Sequence, residues 1–156
     1  MTLRLALPEE EAAVRALVRA AYAHYVPRIG REPMPMGEDY RARIAAGQAW
    51  VLLRDSDSVL IGVLVLVDEE DALVIDNVAI SGEEQGKGHG RALIAFAEQE
   101  AVRRGYRTLR LFTNVKMTEN IALYERLGFV ETHCAGEHGF QRVFMEKRLP
   151  SRPREG

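Results

Sequence analysis

Residues 74–91 hold the densest set of groups that could bind a ligand. An apolar run with β-branched members (Val74, Ile75, Val78, Ala79, Ile80) stops at Ser81–Gly82. Gly82, Gly86, Gly88 and Gly90 then crowd a turn, and Leu93, Ile94, Phe96, Ala97 and Ala101 open a helical pattern. A strand, a loop of bare backbone amides and a helix N-terminus, in that order, make an anion-binding device. The glycines let the backbone turn tightly and approach a ligand with no Cβ in the way. Two nucleotide loops fail on spacing. A Walker A loop needs four residues between its first two glycines and Ser or Thr after the lysine. Here three residues separate Gly82 from Gly86, and Gly88 follows Lys87. A dinucleotide fingerprint needs a glycine at the position of Arg91 and an acid after the next strand, which instead ends in Thr113–Asn114.

The chain that must position this loop has 156 residues, enough for one domain with a sizeable core. Hydrophobic residues make up 47% and the formal net charge is −2. That balance predicts neither a nucleic-acid partner nor a membrane one. No apolar run approaches the length needed to span a bilayer, residues 1–8 carry no secretory pattern, and Cys134 is the only cysteine. Together these predict a cytoplasmic protein. A single domain is expected over residues 1–149, with 150–156 as a tail.

Thr2–Leu5 reads as an opening strand, and Pro8 starts a helix with acids in its first turn. The buried stripe of that helix is Val14, Leu17, Val18 and Ala21. Residues 22–36 read as a loop broken by three prolines. Tyr22, Tyr25, Arg28, Arg31, Met34 and Met36 make it either a cover with buried anchors or the wall of a pocket. Glu38–Gly47 reads as a short helix containing Tyr40. Gln48–Arg54, Val59–Val67 and Ala72–Ile80 form an antiparallel meander into the glycine loop. Gly88–Arg103 is a helix, and Thr108–Thr113 a strand parallel to the one before it. Thr118 reads as the N-cap of the helix Glu119–Leu127 and Gly128 as its C′ residue. Phe129–Ala135 and Phe140–Leu149 close the chain as a hairpin around residues 136–139.

Two stretches then fit one family. Gln85-x-x-Gly88-x-Gly90 after an apolar strand, and Asn120–Ile121–Ala122–Leu123–Tyr124–Glu125–Arg126–Leu127–Gly128–Phe129 some thirty residues later, resemble motifs A and B of the GNAT (Gcn5-related) N-acetyltransferases. The element order over about residues 2–149 resembles that family too. The resemblance implies an α+β fold, layered α/β/α, with a central mixed, mostly antiparallel sheet flanked by helices. It implies acetyl-CoA as cosubstrate and transfer of the acetyl group to a primary amine of a small molecule or peptide, with a possible homodimer. A non-catalytic acyl-CoA sensor of the same fold is the alternative.

By the same resemblance, Gln85, Gly86, Lys87, Gly88, His89, Gly90 and Arg91 would hold the diphosphate, and Val78, Ala79 and Ile80 the pantetheine arm. An amide of that strand end would also polarise the thioester carbonyl. Tyr124 would be the general acid for the leaving thiolate; its alternative is a core tyrosine packed beside Ile121 and Leu127. Many family members have asparagine where this chain has Met117, so Asn120, with Asn114, is assigned the polar contact to the cofactor. Asp76 is the candidate base, with a merely structural carboxylate as the equal alternative. The acceptor would lie among Tyr22, Tyr25, Arg28, Arg31, Met34, Met36, Tyr40 and Phe112, the arginines suggesting an anionic group on it. His24, His133 and His138 read as surface histidines. Cys134 lacks a positioned base, and no cluster has metal-ligand spacing.

Overall fold

The computed structural model describes residues 1–137 and 140–150. The chain divides into two compact units, Met1–Leu66 with Asn77–Leu93, and Val67–Asp76 with the chain from Ile94 onward. Among the described residues, seven strands hydrogen-bond in the order β1-β2-β3-β4-β5-β7-β6 as a mixed sheet, which with its flanking helices is the expected α+β class.

The first unit opens with β1 (Thr2–Leu5), antiparallel to β2 (Ala49–Leu53). Pro8–Glu10 forms a single 3-10 turn, and α1 begins only at Glu11 and runs to Tyr22. Glu10 explains the early turn. Its carboxylate accepts the Leu7 amide at 2.8 Å and both terminal nitrogens of the Arg4 guanidinium, closing the chain at the helix entrance. Val14, Val18 and Tyr22 are the buried stripe of α1, one turn apart, while Leu17 and Ala21 are only half-buried. The proline-rich segment is more regular than its composition suggests. It holds a 3-10 turn (Ala23–Tyr25), the one-turn α2 (Val26–Ile29) and a second 3-10 turn (Met34–Gly37). Pro27 and Pro35 sit in the opening positions of their turns, where a missing N–H costs nothing. The short helix α3 (Tyr40–Ala45) is capped by the Asp39 side chain, which accepts the Ala42 amide at 3.1 Å.

Strand β3 (Leu60–Asp68) pairs antiparallel with β2 and has Ile61, Val63, Leu64, Val65 and Leu66 all buried. An apolar run buried on both faces is what the sequence predicts there. Each such side chain contributes about 1.5–3 kcal/mol relative to exposure. Strand β4 (Leu73–Ile80) follows and leads into the glycine loop.

In the second unit, β5 (Thr108–Asn114) runs parallel to the start of β4 and antiparallel to β7 (Phe140–Arg148), which pairs in turn with β6 (Val130–Glu137). The closing hairpin is thus as expected, though β7 and not β6 neighbours β5. The edge strand β6 carries a bulge between Glu131 and His133, a usual guard against strand addition. Helix α4 (His89–Arg103) contributes to both units. Helix α5 (Thr118–Arg126) differs from expectation at its start: Thr118 is its first residue and Met117 the N-cap, with no side-chain cap bond. At its other end Gly128 takes φ +97°, the left-handed C′ conformation expected of it. His138 and residues 151–156 of the tail lie outside the described residues.

Candidate functional site

The glycine loop follows directly on β4. In the second unit the start of β4 pairs parallel with β5 at Leu73↔Leu109, Val74↔Arg110 and Ile75↔Leu111. Ser81 then closes onto Ile61, N to O at 2.9 Å, and Gly82–Glu84 makes one 3-10 turn. Gly86 and Gly88 adopt φ +81° and +86°, values that only glycine takes without strain. Regular helix bonding resumes with the Ala92 amide donating to Gly88 O at 3.1 Å. Between these points the amides of residues 86–91 donate to no acceptor among the described residues. A Cβ added at Gly82, Gly86, Gly88 or Gly90 would meet nothing within 4 Å, so the space over these amides is open. Six unspent donors at the positive end of a fifteen-residue helix suit an extended polyanion such as a diphosphate.

Gln85, Lys87 and His89 direct their side chains to the protein. Gln85 Nε2 donates to Ile80 O at 3.1 Å. Glu84 is only 5% exposed and sits under the exposed residues 85–88. Its Oε1 accepts Arg54 Nη1 at 2.9 Å, and its Oε2 lies 3.2 Å from both Lys87 Nζ and His89 Nε2. Lys87 first, then His89 and Arg54, hold the Glu84 carboxyl below the usual carboxylate range. Arg91 is exposed.

Tyr22 and Tyr40, expected at an acceptor pocket, are joined through Asn77, a residue to which sequence alone assigns no role. The Tyr22 hydroxyl lies 2.7 Å from Asn77 Oδ1 and 3.0 Å from Val78 O; Asn77 Nδ2 donates to Tyr40 Oη at 2.9 Å, and Tyr40 Oη donates to Pro35 O at 2.5 Å. Asn77 is 4% exposed and Tyr40 1%. Asn77 is a lone amide in an apolar run, and that polar interruption is the signal that could have marked it. Tyr25 and Met36 are also buried, while Arg28, Arg31 and Met34 are exposed. Arg28 lies over the Tyr25 ring, 5.2 Å from its centroid. Arg19 donates to Met36 O at 3.0 Å and pairs with Glu32, fastening the segment to α1.

In the second unit, Asn114 Oδ1 accepts the Lys116 amide at 2.9 Å and so caps its own turn. Met117 is buried, its sulfur accepting from Thr113 Oγ1 at 3.5 Å and Asn120 Nδ2 at 3.8 Å. Tyr124 is 9% exposed and meets the Phe129 ring edge-on at 5.9 Å. Phe112 is half-buried, with buried Arg142 over its ring at 4.6 Å and Phe144 at 5.8 Å. Asp76 is half-buried on β4. His133 stacks on Phe144 at 4.4 Å, and His24 meets the Tyr25 ring at a tilt, 3.9 Å between centroids. The Cys134 thiol donates to Glu131 at 3.2 Å, and that carboxylate raises its pKa, which keeps the thiol protonated rather than nucleophilic. Among the described residues no group of three His, Cys, Asp or Glu side chains could hold a metal ion, and no helix is long and apolar enough to cross a membrane.

A mixed sheet in which β4 leads into a glycine loop at a helix N-terminus fits the family that the sequence motifs resemble. The family model described as Acetyltransferase (GNAT) family matches residues 13–129, and the chain belongs to that family. Acetyl-CoA is the cosubstrate of the family. Similar solved structures agree on the fold. The PaiA N-acetyltransferase from Thermoplasma acidophilum, in complex with coenzyme A, superposes with TM-score 0.80 at 17% identity over 95% of this chain and 98% of that one. The ribosomal-protein-S18-alanine N-acetyltransferase from Escherichia coli gives 0.75 at 19% over 99% and 97%. Nourseothricin acetyltransferase gives 0.59 at 26%, and the match spans 65% of each chain, just under two thirds of that protein's length. No curated protein sequence matches the chain.

Proposed function

We propose that this protein moves the acetyl group of acetyl-CoA directly to a primary amine of a small molecule or peptide. The observation that carries the reading is the run of unpaired amides at 86–91 within a chain of this family. Acetyl-CoA brings the reactive thioester. The amides of residues 86–91 hold its diphosphate, and the backbone of Val78–Ile80, at the end of β4, receives the pantetheine arm and the thioester carbonyl. Attack by the neutral amine forms the C–N bond and breaks C–S. An amine proton leaves to water or to Asp76, and the Tyr124 hydroxyl gives its proton to the departing sulfur. A phenol near ~10 donating to a thiolate whose acid sits near ~8.5 is uphill by about 2 kcal/mol, so Tyr124 assists the reaction and does not enable it alone. The exposed Arg28 and Arg31 supply the cationic edge for an anionic acceptor, while buried Tyr22 and Tyr40 shape the segment from beneath.

The test is thiol release from acetyl-CoA with a panel of amino acids, polyamines, aminoglycosides and peptides. Turnover with at least one amine is expected, and Tyr124→Phe should lower kcat by about 10²-fold, with 10⁴-fold as the ceiling, at unchanged CoA affinity. Binding of acetyl-CoA with no turnover on any amine would favour the sensor, the reading to which Met117 in place of asparagine lends some weight. No binding at all would overturn both.

A further inference from the structure

We propose that Glu84 is the positioning residue of the diphosphate loop: a buried carboxylate that staples the loop to itself and to the end of β2 before the ligand arrives. This rests on the reading of residues 86–91 as the diphosphate site. An acid beside a site for a polyanion would oppose binding if its charge stood alone. Glu84 does not stand alone. Its two oxygens face three cationic or protonatable groups, and two of them, Lys87 and His89, lie three and five residues ahead in the same loop. The carboxylate therefore bridges the span that contains both left-handed glycines, Gly86 and Gly88. Its third partner, Arg54, follows the last residue of β2 and is itself held by Asp57, Nε to Oδ1 at 3.0 Å and Nη2 to Oδ2 at 2.8 Å. The chain Asp57–Arg54–Glu84–Lys87/His89 ties a solvent-exposed loop to a sheet hairpin through one buried anion. Gln85, bonded to Ile80 O, is a second and weaker tie.

The physical consequence is pre-organisation. Amides that must converge on a ligand lose affinity if they are ordered only on binding. Without the carboxylate, Arg54, Lys87 and His89 share no anion, and the two fixed cations, Arg54 and Lys87, repel each other across the loop. With it, the loop is closed and the local charge is balanced, leaving the helix N-terminus as the net attraction for the ligand.

The experiment is calorimetric titration of CoA into the wild-type protein, Glu84→Gln, Arg54→Met and the double variant, with circular dichroism to verify folding. Glu84→Gln keeps the shape of the side chain and removes its charge. Each single variant should weaken CoA about tenfold, equivalent to about 1.4 kcal/mol. The double variant should lose little more than either single one, because both break the same chain. With an accepted amine, Glu84→Gln should raise the KM for acetyl-CoA and leave that of the amine unchanged. Unchanged affinity, tighter binding, or losses that simply add would each overturn the proposal; tighter binding would mean that Glu84 only competes with the ligand for cations. Failure of the wild-type protein to bind CoA would instead overturn the reading of the loop itself.

Discussion

The loop at 82–91 and the segment at 22–40 belong to the same unit and solve opposite problems. The loop presents backbone: unpaired amides, open space above its glycines, and exposed side chains over one buried carboxylate. The segment presents little backbone. It is secured by the side chains of Tyr22, Asn77 and Tyr40 and by Arg19 on Met36 O. Backbone recognition suits a ligand part that never varies, since amides cannot be changed by substitution. A segment held by side chains can keep its anchors while exposed residues such as Arg28, Arg31 and Met34 differ. Under the proposed function, that division would pair a fixed donor site with a variable acceptor site.

The sharpest way to break the contrast is Gly88→Val. A β-branched residue at φ +86° is strained, and it crowds the amides on either side. CoA affinity should fall about 100-fold, as expected for losing one or two hydrogen bonds to a charged group. Unfolding in urea should shift by only about 1–2 kcal/mol, because the added Cβ meets no neighbour. Equal losses in binding and stability would erase the distinction between the regions.

Asn77→Ala should do the reverse. It strips the shared partner from two buried tyrosines and should cost about 2–3 kcal/mol in urea unfolding. Tyr40→Phe, which removes one hydroxyl between Asn77 and Pro35, should cost about 1–1.5 kcal/mol by the same measurement.

The smallest effect is one of pH. Glu84 titrates below its unfolded value of 4.5, so the stability it contributes is complete above that pH and is lost as pH falls through the lower, folded value. The stability gap between wild type and Glu84→Gln should therefore narrow from pH 6 to pH 3. The gap for Tyr40→Phe should stay level over that range, since the groups its hydroxyl bonds, the Asn77 amide and Pro35 O, do not titrate there. A level gap for both variants would mean that the Glu84 ion pairs add nothing to the fold.

Glycine spacing after an apolar strand, the period-2 and helical patterns, and the pair of motifs at Gln85–Gly90 and Asn120–Phe129 were enough to read the family, its cosubstrate and nearly every element within two residues. These are local properties: a glycine at φ +86° or a strand buried on both faces writes its requirement into its own position. What side chains do at a distance left little trace. Tyr22 and Tyr40 read as pocket residues, and tyrosine serves equally as anchor and as ligand contact. Only the placement of Asn77, 55 and 37 residues away, decides that their hydroxyls bind the protein. Thr118 looked like the helix cap, yet Met117 takes that place, held by sulfur contacts that no propensity encodes. Nothing in the sequence alone gives Glu84 a role. Its meaning depends on Arg54, thirty residues earlier, because a buried charge is tolerable only where the fold supplies its counter-charges. The sequence by itself determined where the backbone can bind. The tertiary structure decided which side chains hold that backbone in place, since ion pairs and buried hydrogen bonds are made between residues that only folding brings together.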